Sequence, residues 1–419
     1  MSSFAIPLSG LEAASDSLNV IANNLANLNT DGFKSQTLNF GDIFAQLQGI
    51  SGNGDPIQIG GGVQVGSTVS NFSNGSVDST GITANMALQG NGFFVVSNGG
   101  NTSYTRDGDF SVNSSGQIVD ASGNLVMGFQ ANASGQIETG GALSPISVNS
   151  SAAIPAQATT SFSTNTNLQA GSAAGTTFST PLAVTDSLGK TQNLTITYTA
   201  GATPGSWNYT ITLPAAATGG TAPTTLTTGT MTFDSSGNLE STTPAASAGN
   251  TITGIKITGL ADGAAPLNLT WNLNNAAGTP IITQQNSTSG TSATDVNGYG
   301  SGTLTGFSVE PDGTVEGTYT NNQTVALGQV AVASFANPEG LTQSSNGNFQ
   351  ATISSGAAVV GQAGAGGNGT ITGGAVEQSN VDLSTQFSNM IVAQQSYEAN
   401  AKALTTLDQI SQATIQMIT

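Results

Sequence analysis

Two carboxylates flank a single glycine in Asp107-Gly108-Asp109, the tightest acidic pair in the chain. Paired carboxylates can hydrolyse glycosidic bonds when a cleft holds them at a set separation, one as acid and the other as base or nucleophile. Acids on either side of a glycine more often form an exposed turn, the side chain accepting a nearby backbone N–H. Asp295 with Asn297 offers oxygen ligands to a hard cation, but the spacing of a calcium loop is not met. Asn91-Gly92-Phe93-Phe94 has the glycine of a phosphate loop without its Gly-Lys-Ser/Thr ending, so it reads as a turn entering a buried strand. Histidine and cysteine are both absent. General bases of the usual kind, thiolates, disulfides and the commonest metal ligands go with them. The expectation is a chain with no catalytic residue, no cofactor and no metal, and hence not an enzyme.

Composition narrows the partners. Net charge is −18, and only five of 419 residues are basic: Lys34, Arg106, Lys190, Lys256 and Lys402. Five scattered cations line no phosphate-binding surface, which argues against nucleic acid and against anionic membranes. Charged residues make up 7%, hydrophobic residues 37%, and glycine contributes 55. A chain rich in Thr, Val, Ile, Gly and Asn reads as many short strands joined by tight turns. The first 33 residues hold no Lys or Arg and no continuous apolar run, so no cleavable signal peptide is expected there. No apolar stretch is long enough to span a membrane as a helix.

The ends differ from the middle. Leu11, Ala14, Leu18, Ile21, Leu25 and Leu28 are spaced by threes and fours, the seam of an amphipathic helix that can supercoil on a partner. Ser9 with Glu12 forms a capping-box signature at its start, and Gly32 is a reasonable stop. Near the other end, Leu383, Phe387, Met390, Tyr397, Ala401 and Leu404 repeat the pattern before the frame shifts to Leu407, Ile410 and Met417. Asn380 or Asp382 can cap this second helix, and Glu398 with Lys402 forms a favourable pair one turn apart. A helix of about 35 residues is roughly 50 Å long, too long for a small globular core. The two ends are expected to pair with each other as a coiled coil and with neighbouring copies of the chain.

Everything between reads as β. A turn element recurs in Asn113–Ile118, Asp120–Leu125, Asn132–Ile137, Asp234–Leu239 and Glu310–Val315, each placing glycine before a strand-forming residue. Residues 139–180 and 284–302 are poor in bulky apolar residues and suggest boundaries. The segment between them carries Tyr198, Trp207, Tyr209, Phe233 and Trp271, enough aromatics for a modest core. A β domain interrupted by an inserted β domain fits this order.

The ends also resemble a known family. Ala22-Asn23-Asn24-Leu25-Ala26-Asn27, followed by Thr30-Asp31-Gly32-Phe33-Lys34, is similar to the N-terminal signature of bacterial flagellar rod, hook and hook-associated proteins. Ser379-Asn380-Val381-Asp382-Leu383, with Met390 to Tyr397, resembles their C-terminal signature. Gln89 to Val96, Tyr104 to Phe110 and Leu327 to Leu341 resemble strands of the same family's first outer domain. An insertion of this length points, within the family, to hook subunits over the shorter distal rod proteins. Gln395 stands where many relatives carry Arg.

The resemblance implies nested, discontinuous domains. Residues 1–34 with 376–419 form a helical assembly domain, and 35–77 with 359–375 connecting segments. Residues 78–148 with 292–358 form a first β domain, and 149–291 an inserted outer one. It implies a subunit of a curved, flexible tube that acts as a universal joint. Its partners are further copies, a hook cap, the distal rod, hook–filament junction proteins and the flagellar type III export apparatus. A surface adhesin sharing this composition is the chief rival from another class. It requires a signal peptide or a membrane barrel.

Overall fold

A computed structural model describes residues 4–43, 46–50, 56–132, 135–149, 153–247 and 250–418. The chain divides into two compact units, Met1–Asn149 with Gly306–Thr318 and Thr324–Thr419, and Ser150–Thr305 with Tyr319–Gln323.

The first unit contains both terminal helices, α1 (Ala5–Ala26) and α2 (Leu383–Ile418). Asn24 hydrogen-bonds to Gln386, and Gly10 faces Asn400, so the helices run antiparallel. The capping box expected at Ser9 and Glu12 does not form, because α1 begins a turn earlier at Ala5, with Pro7 in its first turn, where a missing N–H costs nothing. Ser9 instead donates to Ile6 O and accepts the Val63 amide at 3.2 Å, tying α1 to a hairpin of Gln36–Asp42 and Val63–Ser70. Likewise α1 stops at Ala26, six residues short of the expected Gly32. The Asn27 and Leu28 amides close the last turn on Asn23 O, Asn24 O and Leu25 O, the Asn27 side chain also donates to Asn23 O, and Thr30 donates to Asn27 Oδ1.

The β part of this unit is organised around the strand Phe93–Asn98, which pairs with Asn101–Thr105, Leu125–Gln130 and the long strand Thr324–Ser334. Its side chains alternate between two cores, as a strand's period of two dictates. Phe94 and Val96 join Met86, Leu88, Phe110 and Val332 in one. Phe93 and Val95 join Tyr104 and Phe349 in the other, where Phe72 and Phe335 add edge-to-face ring contacts.

The second unit contains two five-stranded sheets. One is a meander from Thr177–Thr185 to Leu239–Thr243. The other is built on Ser161–Gln169, which pairs with Leu267–Asn272, Ile282–Gln285 and Gly290–Val296. Trp207, Trp271, Tyr198, Tyr209 and Phe162 are buried in one shared core. The expected boundary at 291 is displaced, because Gly290–Val296 pairs along Ser161–Gln169 and keeps the chain in this unit until Thr305. In the recurring turns led by Asn113, Asp120 and Asp234 the leading side chain accepts the amides two and four residues on, as Asp234 does from Ser236 and Asn238. These bonds hold the Asp234 carboxyl below its usual range.

Candidate assembly site

The residues of the two terminal signatures meet where the helix pair joins the β part of the first unit. Asn24, 1% exposed, donates to Gln36 O at 2.8 Å and to Gln386 Oε1 at 3.3 Å, and its Oδ1 accepts the Gln36 amide at 2.8 Å. One amide side chain therefore joins α1, α2 and the hairpin. Asn380 is not a helix cap. Its Oδ1 accepts the Ser35 amide at 2.8 Å, and its Nδ2 donates to Asn71 O and Ser73 O. Asp382 is the cap, accepting the Thr385 amide at 2.6 Å, and that backbone bond holds its carboxyl below the usual range. Phe33 and Val381 are buried beside this crossing.

Beneath it lies a charge cluster. Lys34 Nζ donates to Glu377 Oε1 at 2.6 Å and to Ser73 O at 3.0 Å. Arg106 reaches Glu377 Oε2 at 3.4 Å, donates to Leu88 O and Gly90 O, and lies over the Phe93 ring at 5.3 Å. The three side chains are between 0 and 2% exposed. Burial pushes the Lys34 amine and the Arg106 guanidinium down, and Glu377 opposes both shifts. Glu377 also accepts the Gly75 amide at 2.8 Å. Its own carbonyl accepts the Gly32 amide at 2.7 Å. Among the described residues the ion pairs are these two and Lys190–Asp262; Glu398 and Lys402 do not form the expected one.

The acidic pair Asp107 and Asp109 follows Arg106 directly in the chain. Asp107 Oδ1 accepts the Asp109 amide at 2.9 Å, which closes a turn, and a side chain at Gly108 would collide with Met86 O. Burial, with Asp109, Asp31 and Asp120 nearby, pushes the Asp107 carboxyl up to about 6. A carboxyl whose pKa rises on folding opposes folding at neutral pH, and the folded state gains stability as pH falls from above 6 to below about 4. Asp107→Asn keeps the accepting oxygen and is expected to stabilise the first unit at pH 7. It should also flatten this acid-side gain, as read by thermal unfolding at pH 7 and pH 5. Asn297 is similarly structural: its Oδ1 accepts the Thr160 and Ser161 amides at 2.9 and 3.0 Å.

The helix stripes divide between two surfaces. Ile21 is buried, and Leu11, Leu18, Leu25 and Leu28 are half-buried. On α2 the less exposed positions are Gln386, Met390, Ala393, Asn400, Ala401, Leu404, Leu407 and Ser411, steps of three and four interrupted at Tyr397, which is 39% exposed. Leu383, Phe387 and Ile391 fall off that seam and form an apolar ridge, 43, 47 and 54% exposed. Tyr397 and Ile410 are also largely exposed. The pairing seam thus contains small and polar residues, and it buries little apolar area for a helix 36 residues long.

Sequence reasoning missed Glu377 and gave Arg106 no role. The available signal was rarity, since two of only five cations fall inside the family-like motifs.

Four family models match the chain. They are described as flagella basal body rod protein (6–34), flagellar hook protein FlgE/F/G D1 domain (87–167), flagellar basal body protein FlaE D2 domain (156–299) and flagellar basal body rod FlgEFG protein C-terminal (372–417). The flagellar hook protein FlgE of Salmonella typhimurium is 35% identical, covering 97% of this chain and 98% of the relative. The Escherichia coli K12 hook protein is 34% identical over 97% of this chain and 98% of its own. The Borreliella burgdorferi hook protein is 32% identical over 98% of each. The crystal structure of Helicobacter pylori flagellar hook protein FlgE2 has the same fold, with a TM-score of 0.51 at 12% identity, across 70% of this chain and 98% of that one. Similarity at this level, running through both helical ends and the inserted unit, places the chain in the family of bacterial flagellar hook proteins.

Proposed function

We propose that the chain works as a self-assembling structural subunit whose terminal helices build the hook's polymer and whose β units form its outer layers, with no catalysis of its own. Membership of the hook protein family carries this reading. The exposed ridge of Leu383, Phe387 and Ile391 supports it, because apolar side chains aligned on one helix face mark a surface that another chain covers. The thin seam between α1 and α2 points the same way. A helix pair that buries mostly alanine, asparagine and glutamine is weakly held alone and gains order when neighbours pack on it.

The acidic surface keeps separate copies soluble, while Thr, Ser and Asn on the outer units leave few ion pairs to fix register, which suits a joint that bends as it turns. Export through the flagellar type III channel belongs to the same reading. So do contacts with a hook cap, the distal rod and hook–filament junction proteins. Weakly paired ends and a chain without disulfides suit passage in an unfolded state.

Phe387→Asp is expected to abolish polymerisation while leaving the monomer's unfolding unchanged, since the ring is half exposed in the single subunit. Sedimentation and electron microscopy of concentrated protein read the first effect, and thermal unfolding reads the second. A variant that polymerises normally would remove the ridge from the assembly face.

A further inference from the structure

The antiparallel pairing leaves α2 longer than its partner. With Gly10 beside Asn400 and Asn24 beside Gln386, Ala5 falls opposite about Thr405 at equal rise per residue. The helix from Thr406 to Ile418, roughly 20 Å long, continues past the start of α1. The seam continues with it through Leu407 and Ser411, while Ile410, Ile415 and Met417 are 57, 61 and 81% exposed. Asp408 carries the segment's one charge.

A second uncovered surface lies on the same unit. A groove of about 570 Å³ opens between the helix pair and the hairpin, lined among others by Ala13 and Ser17 of α1, Val392 and Ser396 of α2, and Leu38 and Phe40. None of the described lining residues is charged. Copies that each carry a net charge of −18 repel one another, so close contact favours surfaces without charge. The groove offers such a surface and the overhang carries a single charge, and both continue the interface already formed by α1 and α2.

We propose that the overhang Thr406–Ile418 of one copy seats its aliphatic side chains in the groove beside Phe40 of the next, an end-to-side contact that propagates along the polymer. The small residues of the groove let a helix approach closely, and the alanine and serine of the lining leave room for Ile410, Ile415 and Met417. The proposal rests on the assembly reading above and adds which surfaces meet.

Cysteine cross-linking tests it on a background with no native cysteine. Phe40→Cys and Ile410→Cys replace side chains 47 and 57% exposed, so neither substitution disturbs the folded subunit. Within one copy a 40–410 disulfide is out of reach. The hairpin stays beside α1, whereas position 410 lies beyond its end, and Cα atoms more than about 7 Å apart cannot be bridged. Oxidised polymers of the double variant should run as a ladder of dimers, trimers and higher species on a non-reducing gel, with each single variant giving dimers at most. Normal polymers whose double variant gives no ladder would overturn the contact. Failure of the unmodified chain to polymerise under any condition would instead overturn the assembly reading itself.

Discussion

Glu377→Ala is expected to destabilise the first unit by about 3–5 kcal/mol, the cost of leaving buried cations without their counter-charge. Lys34 and Arg106 both depend on this carboxylate, and neither can reach solvent. The same substitution removes the acceptor for the Gly75 amide. Lys34→Met should cost much less, because Arg106 still pairs with Glu377 and an apolar chain fills the space. This asymmetry distinguishes a shared carboxylate from two independent ion pairs. The measurement is straightforward because Trp207 and Trp271 both lie in the second unit. Tryptophan fluorescence should report an unchanged transition there, while hydrogen exchange across Phe93–Asn98 loses protection. Equal effects of the two substitutions would contradict a central role for Glu377.

Gly32→Ala is the second large effect. Gly32 sits at φ +68°, where a Cβ is disfavoured, and its amide donates to Glu377 O at 2.7 Å. An added methyl would also overlap the backbone of Arg106 and Asp107. Strain of the backbone alone costs about 1–3 kcal/mol, and the overlap adds to it by pushing the Thr30–Lys34 turn off the β part of the unit. Lys34 then moves away from Glu377, so both halves of the charge cluster loosen together. The expected result is a chain whose second unit is folded and whose helical ends no longer assemble. Protease mapping should find new cleavage between Asn27 and Lys34. A Gly32→Ala chain that polymerises like the original would show that the turn is not needed to present the helices.

The two lesions share a cause. Lys34 follows α1, Glu377 precedes α2, and Arg106 belongs to the β part, so the cluster fixes the root of both helices to one body. Asn24 and Asn380 add hydrogen bonds to the same crossing. These few residues join the roots of both helices to the β part of this unit. A buried ion cluster is a weak source of net stability, but it penalises any arrangement in which its members part. Fixed geometry at a mechanical junction is a use to which it is well suited.

Much of this was legible in the sequence, for reasons particular residues make clear. The helices announced themselves by apolar residues every three or four positions, a signal that needs no knowledge of partners. Their pairing as terminal elements around a β middle followed from the absence of other helical patterns. The frame of α2 was harder. Leu383 and Phe387 belong to the outward ridge, whereas Met390, Leu404 and Leu407 belong to the seam, and one helix with two apolar faces gives a mixed stripe. The capping box at Ser9 failed because a serine within a helix can bond to the preceding turn and to a neighbouring strand instead.

The charge cluster was invisible for a different reason. Lys34 and Glu377 are separated by 343 positions, and no local periodicity connects them. The signature residues were likewise legible as a set without their individual roles. Asn24, Asn27 and Asn380 look alike in sequence. They become a three-way clip, a helix end and a tie between the segments flanking the hairpin only when the hairpin and both helices are in place. The return boundary of the inserted unit was displaced because Gly290–Val296 consists of small polar residues. Their strand pairing with Ser161–Gln169 leaves no hydrophobic mark.

As the hook's own building block, this chain should be indispensable for hook formation. Electron microscopy of flagellar basal bodies from cells lacking its gene tests that most directly. Rods that end without hooks or filaments, with hooks restored by the intact gene, are the predicted result. Hooks of normal length and curvature in the deleted cells would contradict it.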